Sequence, residues 1–359
     1  MRIGIDAREL SGQPTGVGRY LAALLHQWAR DERAKTHEFV LYAPNDIAMD
    51  LDRRRFATRL VAGGSGTWWE QARLPPAVSA DHLDVFFAPA YTAPLRLEVP
   101  TVVTIHDLSF LVHPEWFRLR EGARRRWITR RSAHRAALVI TVSNFSRDEI
   151  VEHLGLPADR VQVILSGIDP PPIGTAAYAE PRVLYVGSIF NRRRVPALIR
   201  GFSALLERRP DASLDLVGAN RTHPHEDIAS LVKRSGLSGH VRWHEYVSDE
   251  RLGELYARAR AFAFLSEYEG FGMTPLEALA VGIPPIVLDT PVAHETCGDA
   301  ALFVPVDDER GITRALETAL FDEAARARVL AAAPAVLAKY SWVRAARETL
   351  DVIENAGSS

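Results

Sequence analysis

The sequence predicts an α/β protein of two Rossmann-like domains that face each other across a cleft. Three observations lead there. The chain has 359 residues, more than one ordinary core accommodates. Short apolar runs alternate with amphipathic helical stretches nearly from end to end, the pattern of βαβ units around a mostly parallel sheet. The alternation breaks clearly once, at 166–181, where Pro170-Pro171-Pro172 continues neither a helix nor a central strand and Gly174 follows.

The elements follow in order. Met1-Arg2-Ile3-Gly4-Ile5-Asp6 reads as a short strand, 2–6, and not as a signal peptide. Further strands are expected at 38–43, 57–62, 84–88, 101–106, 138–142 and 161–165, with helices at 17–30, 117–136 and 144–154. Past the break, strands are expected at 182–187, 213–217, 241–244, 261–265, 284–288 and 302–304. Helices fit 194–208, 225–235, 249–258, 275–281, 310–320 and 322–338, and a last one, 342–355, carries Trp342, Leu350, Val352 and Ile353. This divides the chain into 1–170, 171–339 and a closing segment 340–359. Only the tail from Asn355 reads as disordered. Ligands of such sheets bind beyond the carboxyl ends of the strands.

Bulk properties exclude several classes. A net charge of -2 offers no field for nucleic acid or an anionic membrane. Cys297 is the single cysteine, so no disulfide framework forms within the chain, which suits a reducing, cytoplasmic compartment. Its expected role is that of a small apolar group. No apolar run reaches the ~18 to 20 residues a membrane span needs. Of 43 basic residues only Lys35, Lys233 and Lys339 are lysines. There is no Gly-x-Ser-x-Gly elbow, no Walker A loop and no zinc or calcium spacing; His223, His225 and Glu226 read as loop.

Four strings carry candidate chemistry. Thr15-Gly16-Val17-Gly18-Arg19-Tyr20 opens the first helix; its glycines suit close approach to a phosphate, or simply a strand-to-helix turn. As a dinucleotide fingerprint it fails, since Leu21 stands where the third glycine should be. Thr104-Ile105-His106-Asp107 ends a buried strand, either as a site or as a hydrogen-bonded loop closure. Gly187-Ser188-Ile189-Phe190-Asn191-Arg192-Arg193-Arg194 clusters guanidinium forks beyond a strand end. Such forks match phosphate oxygens, and their charge is poorly placed for a helix N-terminus alone. The most specific string runs Ser266-Glu267-Tyr268-Glu269-Gly270-Phe271-Gly272-Met273-Thr274-Pro275-Leu276-Glu277. A strand ends, a Gly-Phe-Gly loop follows, and a helix begins near Thr274 with Pro275 and Glu277 in its first turn. Amides from Phe271 to Thr274 suit an anion, and the flanking carboxylates suit sugar and ribose hydroxyls. Separately, Trp116-Phe117-Arg118-Leu119-Arg120, Arg124-Arg125-Arg126-Trp127 and Arg130-Arg131, joined by Trp68 and Trp69, read either as a helix lying on an anionic lipid surface or as an ordinary solvated helix.

Glu269 to Glu277, a Glu-x7-Glu around Gly-Phe-Gly, resembles the hallmark of the retaining nucleotide-sugar glycosyltransferases of family 4, which have the GT-B fold. The resemblance spans essentially the whole chain. It includes Thr15 to Tyr20, Thr104 to Asp107, Val142-Ser143-Asn144-Phe145-Ser146, and Pro284 to Asp289 with Pro291 and Glu295. It implies an acceptor-binding first domain, a donor-binding second domain and a last helix that crosses back to the first. It also implies roles: Glu277 on the donor ribose, Glu269 on the transferred sugar, and Gly270, Phe271, Gly272, Met273 and Thr274 around sugar and diphosphate. Arg192 and Arg193, with Ser188 beside them, neutralise the leaving diphosphate. Gly16, Val17 and Gly18 close on the phosphates, His106 sits beside the sugar, and Tyr246 and Val247 frame the base. Arg192-Arg193 stands where the family usually has Arg-Lys, which keeps the charge but exchanges a point charge for a planar fork.

The expected activity is retaining, metal-independent hexosyl transfer with no cofactor, by front-face substitution in which the leaving phosphate takes the acceptor's proton. The favoured donor is GDP-mannose, with a UDP-sugar such as UDP-glucose next. The acceptor is a glycan or polyprenyl-linked glycan, met at the inner face of the cytoplasmic membrane. The rivals are a non-catalytic nucleotide-sugar binder, a GT-B isomerase or phosphorylase, and an NAD-dependent oxidoreductase. Three lysines outside any cleft motif weigh against the phosphorylase, and Leu21 against the oxidoreductase.

Overall fold

The computed structural model describes residues 1–12, 16–171 and 180–358. Thr15 of the glycine string, Pro172 and Gly174 of the break and Ser359 lie outside the described residues. The chain divides into two compact units. One comprises Met1–Val112, Leu119–Gly167 and Tyr340–Ser359; the other comprises His113–Arg118 and Ile168–Lys339.

Among the described residues each unit holds one parallel sheet. The first contains β1 (Arg2–Asp6), β2 (Glu38–Ala43), β3 (Phe56–Leu60), β4 (Val85–Ala88), β5 (Thr101–Thr104), β6 (Leu138–Thr141) and β7 (Val161–Val163), in the order β3-β2-β1-β4-β5-β6-β7. The second contains β8 (Arg182–Val186), β9 (Ser213–Val217), β10 (Val241–His244), β11 (Ala261–Phe264), β12 (Pro285–Leu288) and β13 (Leu302–Val304), in the order β10-β9-β8-β11-β12-β13. Both sheets begin at their centre and reverse direction beside their first strand. Ile3 pairs with Phe39 on one side and Val85 on the other, as Val183 pairs with Leu214 and Ala261. Each thus has a switch-point crevice at its carboxyl edge.

The central strands are apolar runs buried along their length, as in a sheet covered on both faces, whereas the edge strand β3 is exposed after Phe56. In the first unit Trp28 stacks on Phe39 at 5.5 Å, and Phe39 on Phe56 at 4.8 Å. The helix Trp342–Ser358 packs into this core through Ala345, Ala346, Leu350 and Ile353, and Trp28 donates Nε1–H to the Ala346 carbonyl at 2.8 Å. Burial of that apolar stripe makes the segment helical to Ser358, so the tail is not the disordered stretch its composition suggests. In the second unit Phe202, Tyr185, Phe262 and Leu316 lead the core. A Cβ on Gly218 (φ +144°) would sit 2.0 Å from the Gly187 carbonyl oxygen, so that position admits no side chain without backbone movement, and a Cβ on Gly187 (φ +142°) would sit 2.7 Å from the Arg193 guanidinium.

Differences from the sequence reading have local causes. The helix expected at 117–136 is Leu119–Arg135, preceded by a separate turn, Pro114–Trp116. The helix Leu74–Ser79 escapes the periodicity because Pro75 and Pro76 look like breakers, yet proline is tolerated in a first turn. A π-helical turn, Trp69–Arg73, feeds it.

Candidate functional site

The densest group of polar candidates lies at the carboxyl edge of the second sheet. After β8 the chain turns through Gly187 and Ser188 into a short 3-10 turn, Asn191–Arg193, and Arg194 enters the next helix with a left-handed backbone (φ +46°). After β11 it runs through Ser266 to Glu269 and over the Gly-Phe-Gly loop, where Gly272 (φ +90°) caps the helix Met273–Ala280. The two segments are tied directly: the Glu267 amide donates to the Arg192 carbonyl at 2.8 Å.

Glu269 is the hub. Arg193 Nε donates to its Oε1 at 2.9 Å, the Ser266 hydroxyl reaches the same oxygen at 2.9 Å, and Arg192 Nε stands 3.9 Å away. Burial alone would raise the Glu269 carboxyl, but the charges of Arg193 and then Arg192 outweigh it and hold the group below the usual carboxylate range. Arg193 is pinned further, with Nη1 donating to the Ser188 carbonyl at 2.9 Å and its guanidinium over Phe264 at 4.8 Å. Tyr185, beneath it, is pushed up to about 12 by burial, which the charge of Arg193 only partly offsets.

Arg192 differs. Its side chain is 13% exposed, and its Nε is buried without a hydrogen-bond partner among the described residues. The Thr274 hydroxyl, at the start of the helix beyond the loop, is also buried without a partner. Glu277 is buried, 6% exposed, and is the fifth residue of that helix. It lies just beyond the first turn, because the helix begins a residue earlier than expected, at Met273. Phe271 is buried, and Met273 and Thr274 are partly exposed. Beyond β10, Tyr246 is 71% exposed while Val247 packs against the core. A small cavity of about 20 Å³ lies between the loop and the turn after β12, lined by Glu269, Phe271, Gly272, Thr290, Thr296 and Cys297 among others. Burial pushes the Cys297 thiol up to about 11, which leaves it a small apolar wall.

His106 lies at the carboxyl edge of the first sheet. Its ring contacts the Pro89 carbonyl through Nε2 at 2.8 Å, so Nε2 carries the hydrogen and Nδ1 offers a lone pair. Burial pushes the imidazole below its usual range against the opposing pull of the Pro89 carbonyl and Asp107. Asp107 accepts from Tyr91 at 2.7 Å and from the Ser109 amide at 2.8 Å. Tyr91 occupies the left-handed region (φ +58°), strain of the kind found at functional turns. Gly16 (φ +47°) caps the helix Val17–Arg30, with Val17 partly exposed and Gly18 buried.

Motif reading missed a buried ionic cluster beside it. Arg8 donates to Glu70 and lies 2.7 Å from Asp6 Oδ2, and Thr92 donates to Glu70 at 2.6 Å. Burial pushes Asp6 up to about 6, partly offset by Arg8. Asp6 ends β1 and Arg8 follows it in the sequence, but nothing local points to Glu70.

The arginine–tryptophan string is not one surface. Leu119 (86% exposed) and Trp127 (56%) do project from the helix Leu119–Arg135, and Trp68 is 62% exposed. Trp116 and Phe117 precede that helix and belong to the second unit. Trp69 is buried and donates Nε1–H to the Val61 carbonyl at 2.7 Å, so it does not join Trp68 at the surface. No helix among the described residues is long and apolar enough to cross a membrane.

Comparison with known proteins supplies the wider setting. Residues 14–171 match the model of Glycosyltransferase Family 4, and residues 174–335 that of Glycosyl transferases group 1. O-antigen chain mannosyltransferase B of Escherichia coli is 30% identical over 280 residues, which cover 74% of this chain and 73% of that one. O-antigen chain mannosyltransferase RfbU of Salmonella typhimurium is 27% identical over 60% of this chain and 59% of its own. Among solved structures, a sucrose-phosphate synthase from Thermosynechococcus elongatus superposes with a TM-score of 0.79 at 19% identity over 99% of this chain and 98% of that one. WaaG, a glycosyltransferase involved in lipopolysaccharide biosynthesis, superposes with a TM-score of 0.76 at 17% identity over 98% and 99%.

Proposed function

The chain belongs to the glycosyltransferases of group 1 and family 4, with the GT-B fold, and from that premise we propose that it moves mannose from GDP-mannose to a glycan acceptor. Transfer occurs with retention at the anomeric carbon and needs neither metal nor cofactor. The observation that carries this reading is Arg192, a nearly buried guanidinium whose Nε lacks a partner among the described residues, beside a carboxylate already matched by Arg193. A diphosphate leaving group supplies the missing acceptors in charge-assisted geometry. The choice of mannose is supported by the names of the two O-antigen mannosyltransferases to which the chain is similar.

In this reading the second unit holds the donor. Glu277 takes the ribose hydroxyls, and Val247 and Tyr246 frame the base. Thr274 and the amides of the Gly-Phe-Gly loop take the phosphates with the helix N-terminus behind them. Glu269, kept ionised by the two arginines, takes hydroxyls of the sugar. As the anomeric bond breaks, Arg192 meets the charge that develops on the departing phosphate, and that phosphate takes the acceptor's proton. In the first unit, neutral His106 takes a sugar hydroxyl through Nδ1, and Gly16 and Gly18 leave backbone room for phosphate. The acceptor is a polyprenyl-linked glycan reached at an anionic membrane surface through Trp127 and the arginines of the helix Leu119–Arg135.

Isothermal titration with GDP-mannose, UDP-glucose and their free nucleotides, with and without EDTA, tests the donor site. NMR of the product tests retention. Tight GDP-mannose binding insensitive to EDTA, with an α-linked product, is expected. Preference for UDP-glucose moves the reading to a glucosyltransferase. Donor binding without transfer to any glycan makes the chain a nucleotide-sugar binder.

A further inference from the structure

The second unit contains six residues, His113–Arg118, that the chain delivers between β5 and the helix Leu119–Arg135. They bring a pair of rings to the edge of the arginine cluster. His113 and Trp116 stack with centroids 3.9 Å apart and planes inclined by 16°. Buried Tyr268, next to Glu269 in sequence, meets both edge-on, at 5.3 Å and 6.3 Å. The guanidinium carbon of Arg192 lies 4.6 Å from the centre of Phe190 and 6.0 Å from the centre of Trp116.

This explains how Arg192 is held. Arg193 is oriented by hydrogen bonds to Glu269 and Ser188, which use its N–H groups. Arg192 Nε makes no hydrogen bond among the described residues, and its guanidinium lies over the rings of Phe190 and Trp116, with Glu269 3.9 Å from its Nε. Ring faces attract a guanidinium through their quadrupole and fix its plane without occupying its in-plane donors. A fork held this way keeps its hydrogen bonds for a ligand that arrives later.

We propose that Trp116, stacked on His113 and set by Tyr268, is a positioning residue that aims Arg192 at the leaving diphosphate. The inference rests on the reading of Arg192 given above and adds a residue from a separate stretch of sequence to the donor site. Trp116 acts through Arg192 and touches neither bond being exchanged. Its contribution therefore appears as the charge on the leaving phosphate develops, in kcat more than in donor KM.

A double-mutant cycle decides it. Trp116→Ala is expected to lower kcat by roughly three- to tenfold, the range of a partly buried cation–π contact, with donor KM within about twofold. Trp116→Phe, which keeps a ring face, is expected to recover most of that loss. In the Arg192→Ala background, Trp116→Ala is expected to add nothing, because the fork it aims is gone. Losses that multiply in the double variant overturn the proposal, as does a Trp116→Phe variant as slow as Trp116→Ala at unchanged melting temperature. If the wild-type chain transfers no sugar from any nucleotide donor, the functional reading fails by itself. The same cycle read on GDP and UDP affinity then decides the brace, with coupled losses supporting it and independent losses overturning it.

Discussion

Apart from the extra edge strand β7 of the first, the two sheets share one strand order, yet their carboxyl edges are built on opposite electrostatic plans. In the first unit the carboxylates outnumber the cation, and each is held by hydrogen bonds or by Arg8. Arg8 lies between Asp6 and Glu70, Asp107 is bonded to Tyr91 and Ser109, and burial keeps His106 neutral. In the second unit two guanidinium groups face one carboxylate, and one of them keeps a buried donor unpartnered among the described residues. An edge of hydrogen-bonded carboxylates and a neutral imidazole suits a neutral polyhydroxyl ligand, whereas an edge with an unpartnered guanidinium donor suits a diphosphate. Similar topology thus carries different chemistry, because ligand choice depends on which charges are left over after folding.

This contrast can be broken at several points. The largest effect is expected from Arg193→Ala, which leaves the largely buried Glu269, its side chain 16% exposed, beside only the more distant Arg192. Loss of one partner of a buried pair costs about 3–5 kcal/mol of stability, seen in urea unfolding, and activity falls with it. Arg192→Ala should do the reverse. Stability stays within about 1 kcal/mol, since no hydrogen bond to its Nε is lost, while kcat drops by ~10²–10³, about 2.7–4 kcal/mol of transition-state stabilisation. Equal stability losses for the two arginines would erase the distinction between them.

Asp6 sharpens the other edge. Its folded pKa, about 6, lies above the ordinary value of 3.8, so the folded chain binds this proton more readily than the unfolded chain. The group's contribution to stability is therefore greatest at acid pH and declines as pH rises between about 4 and 6. Asp6→Asn removes that decline. Relative to wild type, the variant should gain roughly 1–3 kcal/mol between pH 4 and pH 7, measured by urea unfolding at each pH. A difference that stays constant across this range would show that Arg8 cancels the burial effect. The smallest effect per residue is expected at the surface. Changing Arg124, Arg125 and Arg126 to Gln should weaken binding to anionic vesicles by about 1 kcal/mol per charge and leave nucleotide affinity unchanged. Unaltered vesicle binding would remove the membrane role.

The site was legible where chemistry is local in sequence. Ser266 to Glu277 carries its own strand end, loop and helix start, so Glu269, Gly272 and Glu277 can be placed from one string. Arg192 and Arg193 are legible as a pair of cations but not as two different groups. Their difference arises from Ser188, Glu269 and Trp116, which the fold gathers from three stretches of chain. Trp116 and Trp69 mark the same limit. Both look like surface rings beside arginines, yet one joins the second unit and the other is buried against Val61.

By itself the sequence determined the alternation of strands and helices, the two sheets, the last helix and the central glutamate string. Each depends on periodicity, turn chemistry or spacing within about twenty residues. Tertiary structure alone decided that Glu70 joins Asp6 and Arg8, that Trp116 serves the second unit, and that Arg192 keeps an unpartnered donor among the described residues. The physical reason is that burial and charge pairing are set by neighbours in space. Desolvation and Coulomb terms act over a few ångströms whatever the separation along the chain.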